Sequence, residues 1–479
     1  MKPMEYEAVI GLEVHAELKT ATKIFCSCST QFGAPPNTQC CPICMGYPGA
    51  LPRWNRRAVE LAVRAGLALQ CTVAPYSRMD RKHYFYPDLP KAFQISQEMH
   101  PLCREGKVTF SVGEQTHTVG IERIHVEEDA GKLLHTDQKT LVDYNRSGVP
   151  LIEIVSKPMI HSGEEAAAYL RALRAVLVRC DVSDCKMQEG SMRCDVNISL
   201  RPRGSASFGT RVEIKNLNSF SFTEKAIRYE IQRQTALLER GEKINTETRR
   251  FDEATGTTVL MRVKESAEDY HFLPEPNLPA IRIRQRDIDA IRATLPELPR
   301  EHAARLREGY ALSAEEAAFL VLEPAVADYF EDVAGKTRFP KLAYHLLVGE
   351  LLPKCGDPFS SPVAAHRLAE LTDLLGDGIL NRATAKKLLL RLLNADFSPA
   401  EIVERESLGQ ISSEELLRPI VLQVLQGNPR AVQDYRNGKK AALQALQGRV
   451  MAATAGRADP ILSERLLLEA LAGGGVLNV

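Results

Sequence analysis

Four cysteines within nineteen residues place the tightest constraint on what this chain can fold into. They form two pairs, Cys26-x-Cys28 and Cys41-x-x-Cys44, separated by twelve residues. Short spacing within a pair lets two thiolates hold one ion from a tight turn, and the loop between the pairs closes a tetrahedron. Cys40 is adjacent to the second pair, but the Cys-x-x-Cys spacing selects Cys41. The pattern predicts a zinc site with four protein ligands, which is structural rather than catalytic.

Size and charge exclude several classes of protein. The chain has 479 residues, 44% hydrophobic and 25% charged, which predicts roughly two to four globular domains. Its 61 basic and 61 acidic residues balance, so any basic surface for nucleic acid has to be local. No apolar run has the length of a membrane span, and the first residues lack the apolar stretch of a signal peptide. We therefore expect a cytoplasmic protein with no membrane partner, whose eleven cysteines are reduced or bound to metal.

Hydrophobic periodicity divides the chain into a mixed α/β region and a helical region. Apolar and polar residues alternate over 9–18, which predicts a half-buried strand. Further strands are predicted at 108–112, 118–127, 151–155, 194–200, 211–214 and 258–262, and helices at 56–69, 164–179 and 222–239. After residue 290 the pattern is typical of helices joined by short loops. They are predicted at 303–310, 314–322, 324–332, 341–352, 361–375, 383–393, 441–453 and 461–471.

Acidic and imidazole side chains recur on the polar faces of the predicted strands. Glu13 and His15 are two residues apart and therefore point to the same face. Glu153 lies among aliphatic residues, where a carboxylate is unfavourable unless it is paired or binds a metal. The same alternation is found at Asp195, Asn197 and Ser199, and at Glu213 and Lys215. A solvated strand face explains any one of these residues, whereas their recurrence favours a shared cleft. Carboxylates with one imidazole suit magnesium and substrate phosphates.

The nucleotide-binding and nucleophile motifs that are read most easily are absent from the sequence. It contains no Gly-x-x-x-x-Gly-Lys-Ser/Thr loop, no Gly-x-Gly-x-x-Gly and no Gly-x-Ser-x-Gly. A nucleotide would therefore have to bind through another architecture. Lys82, between Arg81 and His83, either clamps phosphate or belongs to a basic triplet at the surface.

Six longer strings place these residues in the context of a family. They are 10–15 (IGLEVH), 80–91 (DRKHYFYPDLPK), 125–132 (HVEEDAGK), 143–153 (DYNRSGVPLIE), 190–199 (GSMRCDVNIS) and 213–219 (EIKNLNS). In this order they resemble the GatB family, the B subunits of glutamyl/aspartyl-tRNA amidotransferases. The resemblance extends over essentially the whole chain.

The resemblance implies an α+β fold followed by helical domains. It implies a mixed α/β cradle with a largely antiparallel sheet at 1–293, a helical linker domain at 294–404 and a tRNA-contacting helical tail at 405–479. The implied partners are an amidase (glutaminase) subunit, a small third subunit and aminoacyl-tRNA. The implied reaction uses ATP and Mg²⁺ to convert Glu-tRNA(Gln) to Gln-tRNA(Gln), or Asp-tRNA(Asn) to Asn-tRNA(Asn). Ammonia would be made on the amidase subunit and delivered through a tunnel.

The resemblance also assigns roles to individual residues. Magnesium and phosphate are assigned to Glu13, His15, Glu128 and Glu153. Lys82 is assigned to the reacting groups or to the mouth of the tunnel, and weaker assignments to the nucleotide are Asp195, Asn197 and Lys215. If the strand predicted at 118–127 is regular, Glu127 shares the polar face of His125, so Glu127 is kept as the rival of Glu128. Zinc at Cys26, Cys28, Cys41 and Cys44 would be a stabilising clamp, since only part of the family has these cysteines.

Two other functions fit part of the sequence. A non-enzymatic tRNA-binding protein with a zinc knuckle would leave the carboxylates a structural role, and its complex would consume no ATP. An unrelated ATP-dependent carboxylate–amine ligase would need no partner protein. The balance of nine basic and nine acidic residues over 401–479 gives no electrostatic support for tRNA contact. The only local basic cluster there is Arg430, Arg436, Lys439 and Lys440, so tRNA contact rests on the resemblance alone.

Overall fold

The computed structural model describes residues 5–263, 270–356 and 359–472, and the chain divides into two compact units between His302 and Ala303. The first unit combines a large, mainly antiparallel sheet with helices. The second unit is helical. This arrangement confirms the predicted fold class. Within the described residues, no helix is both long enough and apolar enough to cross a membrane.

The first unit contains the strands and four helices. The strands are β1 (Tyr6–Glu17), β2 (Thr72–Val73), β3 (Tyr76–Ser77), β4 (Asp80–His83), β5 (Phe93–Ser96), β6 (Cys103–Val112), β7 (Gln115–Glu128), β8 (Lys132–His135), β9 (Thr140–Asp143), β10 (Pro150–Ser156), β11 (Met192–Pro202), β12 (Val212–Leu217), β13 (Glu247–Asp252), β14 (Thr257–Val263), β15 (His271–Pro274) and β16 (Ile281–Arg282). The helices are α1 (Arg56–Ala68), α2 (Gly163–Arg179), α3 (Phe220–Glu239) and α4 (Gln285–Ala293). The short helix α4 was not predicted.

A nine-stranded sheet organises this unit, in the order β14-β13-β12-β11-β1-β10-β7-β6-β2. Neighbouring strands are antiparallel except for β12 and β13. Strand β1 lies in the middle, between β11 and β10, and its even-numbered residues are apolar. Ile10, Leu12 and Val14 are buried in one core with side chains of α1, α2 and α3. Burying each such side chain contributes about 1.5–3 kcal/mol, so the alternation in β1 fixes which face turns away from the helices.

Smaller elements flank the large sheet. Strands β15, β4 and β5 form a three-stranded sheet, and β8 pairs with β9 in a hairpin. Residues 18–55, which contain the four cysteines, are irregular apart from an isolated bridge between Thr22 and Ser29. Most backbone hydrogen bonds within this segment close short turns, such as that from the Met45 N–H to the Cys41 carbonyl at 3.0 Å.

The second unit is built from helices. They are α5 (Pro299–Tyr310), α6 (Ala314–Val321), α7 (Pro324–Ala334), α8 (Pro340–Leu346), α9 (Ala365–Gly376), α10 (Arg382–Leu392), α11 (Pro399–Arg405), α12 (Glu414–Gly427), α13 (Pro429–Arg436), α14 (Ala441–Ala453) and α15 (Pro460–Ala472). The single helix predicted at 341–352 is instead α8 followed by a π-helical turn at Leu347–Leu351. Pro353 cannot donate a backbone hydrogen bond, and the chain continues there as a short 3₁₀ turn at Leu352–Lys354. Helix α13 was not predicted, although Pro429 begins it.

Two hydrophobic cores lie within the second unit. One is formed by residues from Leu306 to Val403, and the other by residues from Leu417 to Leu471. The three-part division at 293/294 and 404/405 stays a prediction.

Candidate functional site

The face of the large sheet that turns away from the helices carries a continuous band of ionisable side chains. In β1, His15 is opposite Glu153 of β10 and Arg193 of β11. Glu153 is in turn opposite His125 of β7. Because side chains alternate along each strand, these opposed residues project from the same face. The band therefore joins strands that are far apart in the sequence.

Two imidazoles and two carboxylates meet at one end of this band, and we call His15, His125, Glu127 and Glu153 the histidine cluster. His15 Nε2 lies 3.4 Å from Glu127 Oε1 and 3.5 Å from Glu153 Oε2. His125 Nε2 lies 3.2 Å from Glu153 Oε2 and 3.7 Å from Glu127 Oε2. His125 and Glu127 are both buried. Each carboxylate thus lies between two imidazoles.

The electrostatics of the histidine cluster favour charged side chains. Burial opposes a charge on His125, but the Glu153 carboxylate and a hydrogen bond with Glu127 raise its pKa to about 9. Burial also opposes ionisation of Glu153, yet the charges of His125 and His15 hold its pKa well below the ordinary range. His125 Nδ1 is buried with no hydrogen-bond partner among the described residues.

The histidine cluster fits a divalent ion. Single ligand atoms of His15, Glu127 and Glu153 all lie within 4.8 Å of one another. A metal-bound imidazole is neutral, so the ion would take the place of a proton. Of these three groups, the two carboxylates are the kind of ligand that magnesium prefers.

Three carboxylates meet next to it, and we call Glu13, Asp195 and Glu213 the carboxylate cluster. Their ligand oxygens also lie within 4.8 Å of one another. Asn197 donates to Glu13 Oε1 at 2.8 Å, and Lys215 Nζ lies 2.7 Å from Asp195 and 3.0 Å from Glu213. Burial and then the charge of Glu153 raise the pKa of Glu13. Lys215 pairs with two of these carboxylates, and a bound cation would reduce the repulsion that neighbouring carboxylates exert on Glu13.

Glu128 lies apart from the other residues assigned to magnesium. Lys91 Nζ lies 2.5 Å from both of its carboxylate oxygens, and the backbone N–H of Ile95 donates to Oε1 at 2.8 Å. Strand β7 continues through Glu128, so Glu127 and Glu128 point to opposite faces. The assignment of Glu128 to magnesium stays a prediction, and the geometry favours its rival Glu127.

Lys82 lies in the small three-stranded sheet among aromatic rings. Its Nζ is 4.4 Å from the ring centre of Tyr270 and 5.8 Å from that of Tyr84, distances at which a cation is attracted to a ring face. Burial and then the negative charge of Glu127 raise the pKa of Tyr84. Gln94, the strand partner of Lys82, donates to the carbonyl oxygen of Glu128 at 2.8 Å, so the small sheet lies next to the end of β7.

A third polar group extends the band along β1. Arg193 donates to Asp129 at 2.7 Å, and Arg146 lies 3.5 Å from the same carboxylate. Burial and then the charge of Asp129 raise the pKa of Glu17 to about 7. Sequence reasoning assigned no role to Asp129, Arg146, Arg193 or Glu17. Position alone could have indicated Glu17, which follows Glu13 and His15 at the same spacing of two.

Sequence reasoning also gave no role to His125 or Thr248, and grouped Glu213 only with Lys215. The strand alternation did place His125 and Glu127 on one face. What could not be read from the sequence is the pairing of β7 with β10, which puts His125 against Glu153. Thr248 of β13 donates to Glu213 at 2.8 Å. This contact depends on the parallel pairing of β12 with β13, which puts the two residues side by side.

The four predicted zinc ligands do meet in the structure. Their sulfur atoms all lie within 4.8 Å of one another, and those of Cys41 and Cys44 are 3.9 Å apart. A zinc–sulfur bond of about 2.3 Å places tetrahedral thiolates roughly 3.8 Å apart, so the residues fit zinc. A hydrogen bond from Cys26 lowers the pKa of Cys44 to about 4. Cys40 lies outside the group, 3.9 Å from Asn145 Oδ1.

The fold combines a large, mainly antiparallel sheet with a band of carboxylates on one face. Comparison with known families shows which class of protein has this combination. The model of the "GatB/GatE catalytic domain" matches residues 8–289, and that of the "GatB domain" matches residues 328–471. The chain therefore belongs to the GatB family, which confirms the resemblance found in its sequence.

Individual relatives are similar over their full length. A protein of Thermoanaerobacter pseudethanolicus is 49% identical over 473 residues, which is 98% of this chain and 100% of the relative. One of Moorella thermoacetica is 48% identical over 476 residues, again 98% and 100%. One of Clostridium tetani is 46% identical over 472 residues, or 97% and 99%. Each of these relatives is named as the B subunit of aspartyl/glutamyl-tRNA(Asn/Gln) amidotransferase.

Proposed function

We propose that this chain is the B subunit of a tRNA-dependent amidotransferase and carries its ATP-dependent step. The observation that supports this most directly is the pair of adjacent clusters on one sheet face, the histidine cluster and the carboxylate cluster. Their substrate would be the side-chain carboxylate of Glu-tRNA(Gln), Asp-tRNA(Asn) or both. The family membership and the names of the relatives support the same reading.

The chemistry of the reaction explains why such a site is needed. A carboxylate does not react with ammonia because its leaving group would be oxide. One carboxylate oxygen attacks the γ-phosphorus of ATP, and ADP leaves, giving an acyl phosphate. Ammonia then attacks the acyl carbon, inorganic phosphate leaves, and a proton is lost from nitrogen to give the amide. Phosphoryl transfer depends on positioning and charge neutralisation more than on covalent help from the protein.

The residues of the two clusters would share this work. His15, Glu127 and Glu153 would hold one magnesium ion, and Glu13, Asp195 and Glu213 a second. Bound magnesium would neutralise phosphate charge and favour in-line transfer. Asn197 holds the Glu13 carboxylate through its hydrogen bond, and Lys215 holds Asp195 and Glu213. Lys82 lies near the rings of Tyr84 and Tyr270. Its ammonium group would attract the anionic acyl phosphate, and the rings would limit the access of water to that intermediate.

The remaining parts of the reaction would belong to partners. The sequence has no Gly-x-Ser-x-Gly nucleophile motif, which agrees with glutamine hydrolysis on a separate amidase (glutaminase) subunit. A small third subunit would complete a heterotrimer, working on aminoacyl-tRNA in the cytoplasm. Zinc on Cys26, Cys28, Cys41 and Cys44 would hold the irregular segment 18–55, which supports a structural role for the metal.

A transamidation assay on the assembled complex tests the proposal. The chain is co-expressed with candidate amidase and small subunits and supplied with ATP, Mg²⁺, glutamine and either Glu-tRNA(Gln) or Asp-tRNA(Asn). We expect Glu153→Gln to abolish amide formation and tRNA-dependent ATP cleavage while glutamine hydrolysis continues. The matched control is Glu122→Gln, which alters an exposed residue of β7 and should leave both activities intact.

The other outcomes are informative too. Full activity of Glu153→Gln would remove Glu153 from the site. A wild-type complex that binds aminoacyl-tRNA but cleaves no ATP would overturn the proposal in favour of a binding protein. Product with only one of the two tRNAs would identify the substrate.

A further inference from the structure

A fully buried lysine lies next to the cysteine group, and its hydrogen-bond partners among the described residues include no carboxylate. Lys23 has no exposed surface. Its Nζ lies 3.6 Å from Cys44 Sγ and donates to the carbonyl oxygen of Tyr144 at 3.1 Å. Lysine is almost never fully buried unless its charge is paired. Of these two neighbours, only the sulfur can carry the compensating charge.

The cavity beside the cysteines shows the same imbalance. Its lining contains three cations and two carboxylates. Lys91 is paired with Glu128, and Arg81 is paired with Glu275 at 2.6 Å. Lys23 is the cation left over in this lining. A group of thiolates supplies the negative charge that the carboxylates do not.

A zinc ion with four thiolates needs such a cation. The ion carries two positive charges and the thiolates four negative ones, so the filled site has a net charge of −2 in a partly buried place. Hydrogen bonds to sulfur, such as that from the backbone N–H of Cys41 to Cys44 at 3.2 Å, spread this charge but do not reduce it. The ammonium of Lys23 reduces it to −1.

We propose that Lys23 is the outer cation of the zinc site, which raises its zinc affinity and ties the filled site to the turn at Tyr144. That turn is held to the cysteine segment at other points as well. Asn37 N–H donates to Asp143 Oδ1 at 3.0 Å, and Gln39 N–H donates to Asn145 Oδ1 at 2.8 Å. The turn also carries Arg146, which contacts Asp129 in the polar band. The inference rests on the zinc site proposed above.

Zinc affinity of the assembled complex tests this role. We expect Lys23→Met to weaken zinc binding by about 10–100-fold, the usual effect of losing a partner outside the ligand shell, as measured by competition with a chromophoric chelator. The control is Lys19→Met, since Lys19 is half exposed and pairs with Asp181 at 2.8 Å. It should leave the zinc affinity unchanged.

Stability measurements separate this role from a merely structural one. Removing one partner of a buried charge pair is unfavourable, and the filled site, with a net charge of −2, has more charge for Lys23 to balance than Cys44 alone has in chelator. We therefore expect Lys23→Met to lower the unfolding temperature more in zinc than in chelator, which shrinks the rise that zinc produces. Loss of stability in chelator as large as that in zinc would overturn the proposal. So would a zinc affinity equal to that of the wild type.

Two further observations keep the test decisive. If Lys23→Met does not assemble, Lys23→Gln retains a donor without the charge and should also bind zinc more weakly; wild-type affinity there contradicts the proposal. If the wild-type complex binds no zinc, the zinc site itself fails, which is distinct from failure of Lys23 alone. Zinc removal should also speed hydrogen exchange of the backbone amides at 143–148 in the wild type, and unchanged exchange would refute the tie to the turn.

Discussion

The histidine cluster and the carboxylate cluster are neighbours on one sheet face, yet they balance charge in opposite ways. In the histidine cluster, Glu127 and Glu153 are each flanked by two imidazoles, so protons can neutralise them. In the carboxylate cluster, Asp195 and Glu213 pair with the ammonium of Lys215, and Glu13 accepts a hydrogen bond from Asn197. The first group is balanced by imidazole protons, whereas in the second burial and then the charges of neighbouring carboxylates raise the pKa of Glu13.

This difference predicts how the two clusters depend on metal. An ion entering the histidine cluster has to displace protons, so its affinity should rise with pH. An ion entering the carboxylate cluster relieves repulsion that is already present. The two sites should therefore differ in their response to pH and to the loss of one carboxylate, and the experiments below test that difference from the largest effect to the smallest.

The largest effect is expected from Glu127. Glu127→Gln removes a carboxylate between two imidazoles, and we expect tRNA-dependent ATP cleavage to fall by about 10²–10³-fold, as for the loss of a charge-stabilising group at a reacting centre. Glu128→Gln should leave ATP cleavage within a few-fold of wild type, because Glu128 points to the opposite face. It should instead reduce stability by about 3 kcal/mol or more, since it strands the charge of Lys91.

The contrast between these two variants decides which carboxylate belongs to the site. ATP cleavage is measured per folded complex in saturating magnesium, with Glu122→Gln as the neutral substitution on the same strand. A loss of cleavage in Glu128→Gln that exceeds the loss in Glu127→Gln would restore Glu128 as the magnesium ligand and contradict our reading of the geometry.

The same pair of residues shows what the sequence can and cannot predict. Alternation over 9–18 correctly predicted β1 and its polar face, because one buried strand face is visible in a single stretch of sequence. The end of β7 is different, since a strand that stops at residue 127 or continues through 128 reads almost identically. Only pairing with β10 brings His125 against Glu153 and Glu127 into the same cluster, and pairing partners lie many residues away.

The burial of charged residues could not be predicted from the sequence either. Nothing in the segment around Lys23 distinguishes it from a surface lysine, because its burial depends on a turn more than a hundred residues later. Cysteine spacing, in contrast, is local, and it predicted the four sulfur atoms that meet. Features encoded within about twenty residues were therefore predictable, whereas contacts between distant segments were not.

The second effect concerns pH and the histidine cluster. The folded-state pKa of His125 is about 9, above the value of about 6.5 for an unfolded histidine. Its stabilising contribution is therefore complete below pH 6.5 and is lost as pH rises towards 9. At 1.36 kcal/mol per unit the loss is at most about 3 kcal/mol. We expect the free energy of unfolding, measured in chelator by denaturant titration, to fall between pH 6.5 and 9.

Two comparisons check the origin of that fall. His125→Gln should flatten the pH dependence in this window, whereas His135→Gln, which alters an exposed residue of β8, should not. Saturating magnesium should also reduce the fall, because a cation bound by Glu127 and Glu153 offsets the negative charge that raises the pKa of His125. A pH dependence that persists unchanged in His125→Gln would show that other groups cause it.

The smallest effect is expected in the carboxylate cluster, where removing one charge has two opposite consequences. Glu213→Gln lowers the repulsion among the three carboxylates but also removes an ion ligand. In chelator we expect the weakened contacts with Lys215 and Thr248 to offset the relief of repulsion on Glu13, so that the variant is about as stable as the wild type. In the transamidation assay we expect the magnesium concentration for half-maximal rate to rise by about tenfold, since one unit charge contact in a partly exposed site contributes about 1–2 kcal/mol. Glu253→Gln, which changes an exposed residue between β13 and β14, is the control.

If Glu213→Gln instead lost stability in chelator without any change in its magnesium requirement, the carboxylate cluster would be a structural network held by Lys215 and Thr248. The contrast between a proton-balanced and a metal-balanced cluster would then no longer hold.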